Sequence, residues 1–312
     1  MSRPGTEAVF VGAATQDAIA LVDDFPEPDE RMVAHQVEYA GGGPAATAAV
    51  TAARLGLSSA FVGAVGDDEE GERILAGLQD ESVDVSGVQR LRGRRSGASL
   101  VVVQAGRGTR AICTRPVPVM RLPAGSVGEQ LVRDGEWVHV DHLGWEPVSG
   151  LLEGHVSGTT PRISVDAGNR IPGLSPAAVD LLAPTLTSLA DAYGHAEPDK
   201  LLEAALADGA TCVVATRGRD GASGAGADGT RAHSPGYPVE AVSTLGAGDV
   251  FHGALLSAVI RGYPLSDQLA YANVVAALSC RALDGRSAIP DHNQAWEACM
   301  SHRTHAASQE TH

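Results

Sequence analysis

The chain has 312 residues, of which 44% are hydrophobic and 20% charged, and its formal net charge is −15. This is globular composition with enough chain to bury a core, and it excludes wholesale disorder and a collagen-like fibre. The acidity argues against a nucleic-acid partner, which needs a basic field to displace counterions from phosphates.

In chain order, Ala8–Ala14 is a short apolar run that reads as a buried strand. After a Pro- and acid-rich stretch, Arg31–Tyr39 alternates loosely, as a strand in an exposed sheet does. Gly41-Gly-Gly-Pro-Ala-Ala-Thr47 opens an alanine-rich run that closes at Gly56. Proline in the first turn and glycine past the end mark both ends of a helix. Ala60–Val65 reads as a strand and Gly71–Glu81 as a helix. Ser99–Gln104 and Thr109–Thr114, around a Gly-rich turn at Ala105–Gly108, make a β-hairpin. Strand-like runs return at Trp137–Val140, Arg162–Asp166, Asp180–Ala183 and Thr211–Thr216. Ala222–His233 reads as a hairpin, and Ala247–Arg261 and Ser266–Leu283 as long helices.

The strand–helix alternation predicts an α/β fold, a mostly parallel sheet with helices on both faces. The Arg31–Tyr39 strand and the Ser96–Thr114 hairpin interrupt it and form a small separate β-sheet lid. One domain is expected over residues 1–300, with lid segments at about 14–40 and 94–118 and a polar, frayed tail over 301–312. Cys113, Cys212, Cys280 and Cys299 form no C-x-x-C pair and read as thiols, not as a disulfide or zinc framework. No apolar run reaches the ~18 residues of a membrane span. Met1–Thr6 lacks a signal-peptide core, so a cytoplasmic protein without a membrane partner is expected.

The chemistry concentrates in Ser243-Thr-Leu-Gly246-Ala247-Gly248-Asp249. Glycines let a ligand approach the backbone, and the free N–H groups of a helix start bind anions. An aspartate there can take a proton from a hydroxyl attacking the bound anion, the arrangement phosphoryl transfer needs. Lys200 is the single lysine and follows Glu-Pro-Asp, which excludes a Gly-Lys-Ser/Thr phosphate loop. Asp17, read as the end of the first strand, lies where open α/β sheets bind ligands, and its carboxylate can accept from two hydroxyls. His139-x-Asp141-His142 has the look of metal ligands, but on a strand His142 points away from the other two, so these read as strand-end polar groups near the sugar. Gly41-x-Gly43-x-x-Ala46 fits a loose dinucleotide fingerprint but does not follow the first core strand.

Gly246-Ala-Gly-Asp249 with Phe251 and Gly253 resembles the second signature of the PfkB (ribokinase-like) sugar kinases. The first signature is matched by Gly42-Gly43 through Arg54-Leu55-Gly56, followed by Phe61-Val-Gly63 and Val65-Gly-Asp67-Asp68. Gly12 with Asp17, Gly106–Arg110, Thr216-x-Gly218-x-x-Gly221 and Ser287-Ala-Ile-Pro290 complete the family's order from residue 8 to about 297. The resemblance implies an ATP- and Mg2+-dependent kinase acting on a primary hydroxyl of a furanose or ketose. Asp249 would be the general base, and Gly246, Ala247 and Gly248 the anion hole for the phosphoryl group. Asp17, Gly42, Gly43 and Thr47 would bind the sugar. Thr216, Gly218 and Gly221 would approach the ATP phosphates, with Asn273 near the base. Pairing through the lid would make a homodimer.

The departures are as informative. Thr47 stands where the family usually has Asn, and offers one hydroxyl for an amide. Ser243 replaces an Asp, which leaves the monovalent-cation site open. Thr185 and Ser188 replace an Asn-x-x-Glu that helps order magnesium, leaving Mg2+ mainly to ATP and water or to other groups. These losses motivate an alternative, a sugar- or nucleotide-binding regulator descended from a kinase. Gly41–Thr47 with Gly248–Ala254 is similar to 6-deoxy-6-sulfofructose kinases, whose anionic sugar needs a basic group. Arg31 and Arg115 fall in the lid segments expected to supply it.

Overall fold

The computed structural model describes residues 5–152, 155, 157–194 and 197–309, of which 302–309 by backbone alone. Strand β1 (Ala8–Val11) ends at Gly12, where the chain leaves the main sheet for β2 (Thr15–Val22) and β3 (Gln36–Gly42) of a small sheet. It returns through α1 (Pro44–Arg54), β4 (Ser59–Val62), β5 (Ala64–Gly66), α2 (Glu69–Asp80) and β6 (Gln89–Leu91). The hairpin β7 (Gly97–Gln104) and β8 (Arg110–Arg115) completes the small sheet, in the order β3-β2-β7-β8. Then follow α3 (Val127–Asp134), β9 (Trp137–Val140), α4 (Trp145–Ser149), β10 (Arg162–Ala167), β11 (Leu181–Pro184), α5 (Leu186–Tyr193) and α6 (Pro198–Ala207). The chain ends with β12 (Cys212–Thr216), β13 (Ala222–Gly226), β14 (Arg231–Ser234), α7 (Ala247–Ile260), α8 (Leu265–Ser279) and α9 (His292–Gln309).

The main sheet has eight strands in the order β14-β13-β12-β11-β10-β9-β1-β4. The pairs from β4 across to β12 are parallel, and β13 and β14 add an antiparallel edge. Alternation along the strands divides the core into two layers. Ala8 and Phe10 face the layer that packs α1, α7 and α8, while Val9 and Val11 face the layer of α5 and α6. Alanines and glycine let α1 and α7 approach backbone to backbone: a Cβ at Gly253 would run into Ala48. No helix among the described residues is long and apolar enough to cross a membrane.

The expected architecture is present, with shifts that have local causes. The strand expected at Arg31–Tyr39 is displaced to Gln36–Gly42, because Gly41 and Gly42 still pair with Gln16 and Thr15 while residues 31–35 stay irregular. Ala60–Val65 is two strands that part at Gly63. Helix α2 begins earlier than expected because Asp68 caps it, accepting from Gly71 N at 3.0 Å. Asp17 is not at the end of β1; it is the third residue of β2, on the small sheet opposite Ala40. The backbone of α9 continues to Gln309, through most of the segment expected to fray.

Candidate active site

Helix α7 starts from Gly246, which holds a left-handed φ of 71°. The amides of Gly248 and Asp249 make no hydrogen bond among the described residues. A Cβ at Gly248 would meet nothing within 4 Å, so the helix start opens onto free space. Unpaired N–H groups on a helix terminus are an anion site. The apolar remainder of the helix, from Val250 on, is buried and fixes its direction.

The open space continues into a cavity of about 690 Å³. Thr216, Gly218, Gly221 and Asn273 all line it, together with Ala247 and Gly248. Gly218 (φ 57°) and Gly221 (φ 92°) bracket a tight turn after β12. Asn273 is buried and its Nδ2 donates to Ser234 O and Pro235 O, both at 3.1 Å, so its amide holds the facing wall. Gly106, Arg107 and Gly108, at the tip of the β7–β8 hairpin, close the cavity from the small sheet. Arg110 Nη1 donates to Thr244 Oγ1 at 2.8 Å, fastening that hairpin to the loop before α7.

The other expected group gathers around the start of α1. A Cβ at Gly42 would run into the Asp17 carboxylate, so glycine there makes room for it. Gly43 has φ 92° and packs on Ala13, which sets the start of α1. Thr47 is buried one turn further on. Among them lies a residue that sequence reading did not select, Arg286, also buried. Its Nε donates to Thr47 Oγ1 at 3.1 Å and its Nη2 to Gly42 O at 2.9 Å. Its neighbours Ser287–Pro290 carry part of the resemblance, but nothing in that string marks the arginine as inward-facing. Burial brings the Arg286 pKa down to about 10, against the opposing pull of Asp17 and Asp249, so it stays charged at neutral pH. Burial pushes the Asp17 carboxyl up, while Thr15, Ser99 and Arg286 lean the other way.

Asp249 is half-buried beside the opening. Its carboxyl is pushed up to about 8, first by burial, then by the charges of Asp166 and Asp141, with Arg286 and Arg110 opposing. Asp166 lies at the end of β10, where His252 Nε2 comes within 3.3 Å of its Oδ1. His139 shares a 3.0 Å hydrogen bond with Ser164, and burial lowers its pKa to about 3, so it is neutral. Asp141 accepts from Ala13, Leu143 and Gly144 N at 2.7, 2.8 and 3.0 Å, anchoring the crossing from β1 to β2. Asp141 and His139 are both buried, the first holding backbone amides and the second packed on Ser164 and the rings of Phe10 and His252.

Among the described residues no group of three or more His, Cys, Asp or Glu is arranged to hold a metal ion. Thr185 and Ser188 act as a helix cap instead: Thr185 Oγ1 accepts from Ser188 N at 3.0 Å and Ser188 Oγ donates to Gly168 O at 2.8 Å. Ser243 is buried, its Oγ accepting from Leu245 N at 3.1 Å. Arg115 donates to Ser96 O and Glu70, and Arg31 is exposed in the irregular segment before β3, so neither is shown at the sugar side.

Comparison with known proteins agrees with this geometry. The sequence profile of the pfkB family carbohydrate kinases matches residues 6–141 and 155–292. An ATP-dependent ribose-1-phosphate kinase of Halopiger xanaduensis is 27% identical, over 89% of this chain and 93% of its own. A fructokinase of Salmonella typhimurium is 31% identical, over 87% and 94%. The structure of Arabidopsis thaliana ribokinase complexed with ribose and ATP superposes with a TM-score of 0.80 at 21% identity, covering 95% and 99%. With its signatures in order, its mostly parallel sheet and its small-sheet lid, this chain belongs to the PfkB family and is a carbohydrate kinase.

Proposed function

We propose that this kinase moves the γ-phosphoryl group of ATP to a primary hydroxyl of a furanose or ketose sugar, with Asp249 as general base. One observation carries the reading. Asp249 sits in the first turn of α7, next to Gly248 of the cavity that Thr216, Gly218, Gly221 and Asn273 line, with its own amide and that of Gly248 unpaired, and its charge acts on Arg286 of the Asp17–Thr47 cluster. ATP would occupy the cavity with its phosphates toward Gly246–Gly248, and the sugar would lie against Asp17, Gly42, Gly43 and Thr47. The acceptor hydroxyl gives its proton to Asp249 as its oxygen bonds to the γ-phosphorus. The bond from that phosphorus to the β-phosphate oxygen breaks, and ADP leaves. The N–H groups of α7 stabilise the charge on the moving group. A carboxyl pushed up to about 8 is a stronger base than an ordinary aspartate, which suits removal of a hydroxyl proton.

Mg2+ would enter with ATP as counter-ion of the phosphates, since the described residues offer no carboxylate cluster for it. A second copy would cover the small sheet. Tyr39 lies opposite Ala18, Ala18 opposite Leu100 and Leu100 opposite Cys113, one row of one face. Tyr39 is 73% and Leu100 56% exposed in that row, an apolar strip that a single chain leaves in water.

The test is ADP release over a panel of pentoses, ketohexoses and their phosphates, repeated with Asp249→Asn. The expected loss is the ~10²–10⁴-fold in kcat of a missing general base, with the melting temperature retained. Near wild-type turnover in that variant removes Asp249 from the role. Sugar binding with no ADP release favours the regulator suggested by Thr185, Ser188 and Ser243.

A further inference from the structure

We propose that His252 is a positioning residue for the base: set against Asp166 and one turn along α7 from Asp249, its imidazole keeps the Asp166 carboxylate from acting on Asp249 at full strength. The inference rests on the reading of Asp249 as general base, and it adds the group that tunes it.

The geometry is a polar island in an apolar seam. Residues three apart on a helix are neighbours on one face, and helical side chains lean toward the N-terminus, so His252 leans back toward Asp249. Its Nε2 comes within 3.3 Å of Asp166 Oδ1, and both side chains are buried. His139 of β9 lies alongside, its ring centroid 5.7 Å from that of His252, and is fixed on Ser164 at 3.0 Å. Ser164 pairs with His139 across the sheet, and Asp166 follows two residues later on the same face of β10. Three elements thus bring four polar side chains together beneath the first turn of α7. Around them Val250, Phe251, Ala254 and Leu255 make an ordinary apolar contact. Packing alone accounts for those four but not for a buried imidazole whose Nδ1 has no hydrogen-bond partner among the described residues.

The surrounding charges leave this part to His252. Those that bear on Asp249 are Asp166 and Asp141 from the strand ends, Arg286 from the loop before α9 and Arg110 from β8. Asp141 is engaged by the backbone amides of Ala13, Leu143 and Gly144. Asp166 has the amide of Gly168 at 2.9 Å and, among the described residues, no Lys or Arg in ion-pair contact. Toward His252, β10 presents Asp166 and β9 presents His139, which burial keeps neutral. The helices that flank α7 add little: Arg54 of α1 is paired with Glu81, and Asp267 of α8 sits in its first turn, at the far end of α7. After burial, Asp166 is the strongest influence raising the Asp249 carboxyl, so the group in contact with Asp166 governs how much of that charge the base feels.

The test reads the base with and without the imidazole. Wild type, His252→Leu, Asp166→Asn and the double variant are compared by kcat/KM against pH, with the sugar that releases ADP fastest. The same proteins, labelled at the aspartate carboxyl carbons, are titrated by NMR, and the resonance missing from Asp249→Asn identifies Asp249. His252→Leu is expected to move both the acid limb and the NMR midpoint up by roughly 0.5–1 pH unit, so that kcat/KM falls about 3- to 10-fold below the limb and the loss fades above it. In the Asp166→Asn background the same change should move neither. A merely structural role gives a loss equal at every pH that persists when Asp166 is neutral. That result, or an unmoved midpoint in His252→Leu, overturns the proposal. If His252→Leu does not fold, His252→Gln, which cannot carry a charge, decides by the same upward movement. Should Asp249→Asn turn over like wild type, or wild type release no ADP, the base reading fails separately, and the NMR midpoint alone judges His252.

Discussion

Arg110 on β8 donates from Nη1 to the hydroxyl of Thr244 at 2.8 Å, and that hydroxyl reaches Gly108 O at 3.3 Å. Residues 134 positions apart in sequence thus join the tip of the lid to the loop that begins the anion site. Beneath the latch, Ile19, Val101 and Val103 of the small sheet pack with Leu283. At this point a polar latch over an apolar seam ties the lid to the body.

Removing that fastening is expected to open the site without harming the core. Thr244→Val keeps the volume and loses a hydrogen bond worth about 0.5–1.5 kcal/mol. The KM values for sugar and ATP should both rise, by roughly 2- to 10-fold, with little change in melting temperature. Unchanged KM values would show that the latch has no part in closure.

The pH profile follows from Asp249. The base acts only when ionised, and burial with the charges of Asp166 and Asp141 pushes its carboxyl up to about 8. Activity measured as kcat/KM is expected to fall as pH drops below about 8, far above an ordinary aspartate's 3.8. Asp166 is a charge that raises this value, so Asp166→Asn should move the acid limb to lower pH. A limb that stays in place would separate Asp166 from the base.

Stability carries the opposite sign. The folded Asp249 pKa lies above its unfolded value, so the native state binds the extra proton between about 3.8 and 8. That stabilisation declines as pH rises through the window and is gone above it. Asp249→Asn is therefore expected to melt higher than wild type at pH 9, by calorimetry, while losing activity.

Two glycines on α7 should behave oppositely. Gly248→Ala places its methyl in open space, so folding is kept or gains up to about 1 kcal/mol, while the phosphoryl site is partly filled and kcat falls. Gly253→Ala drives a methyl into Ala48, so it should cost about 1–3 kcal/mol of stability. Thermal melts beside ADP-release rates distinguish the two.

The lid face makes a further prediction. Tyr39→Glu with Leu100→Glu puts charge on the exposed row and is expected to give a monomer by analytical ultracentrifugation where wild type is a dimer. A monomeric wild type would remove the pairing.

Much of the fold was legible in the chain because its signals are local. Pro44 and Gly56 mark α1, Gly246 opens α7, and the runs read at Trp137–Val140 and Arg162–Asp166 are strands, the second one residue longer than read. The turns beside the cavity and at the start of α7 were legible for the same reason, since Gly218, Gly221 and Gly246 announce special backbone by residue type. Asp17 was placed on the wrong strand because nothing local says that the chain changes sheets after Gly12.

Sequence alone determined the alternation of elements, the helix ends and the glycine loop with its acid, since each depends on neighbours a few residues away. Tertiary structure decided how strongly Asp249 is basic, that Thr185 and Ser188 cap a helix, and that Arg286 lies on Thr47 from 239 positions away. Those outcomes are set by burial and by charges brought together from distant segments, and no run of adjacent residues encodes either.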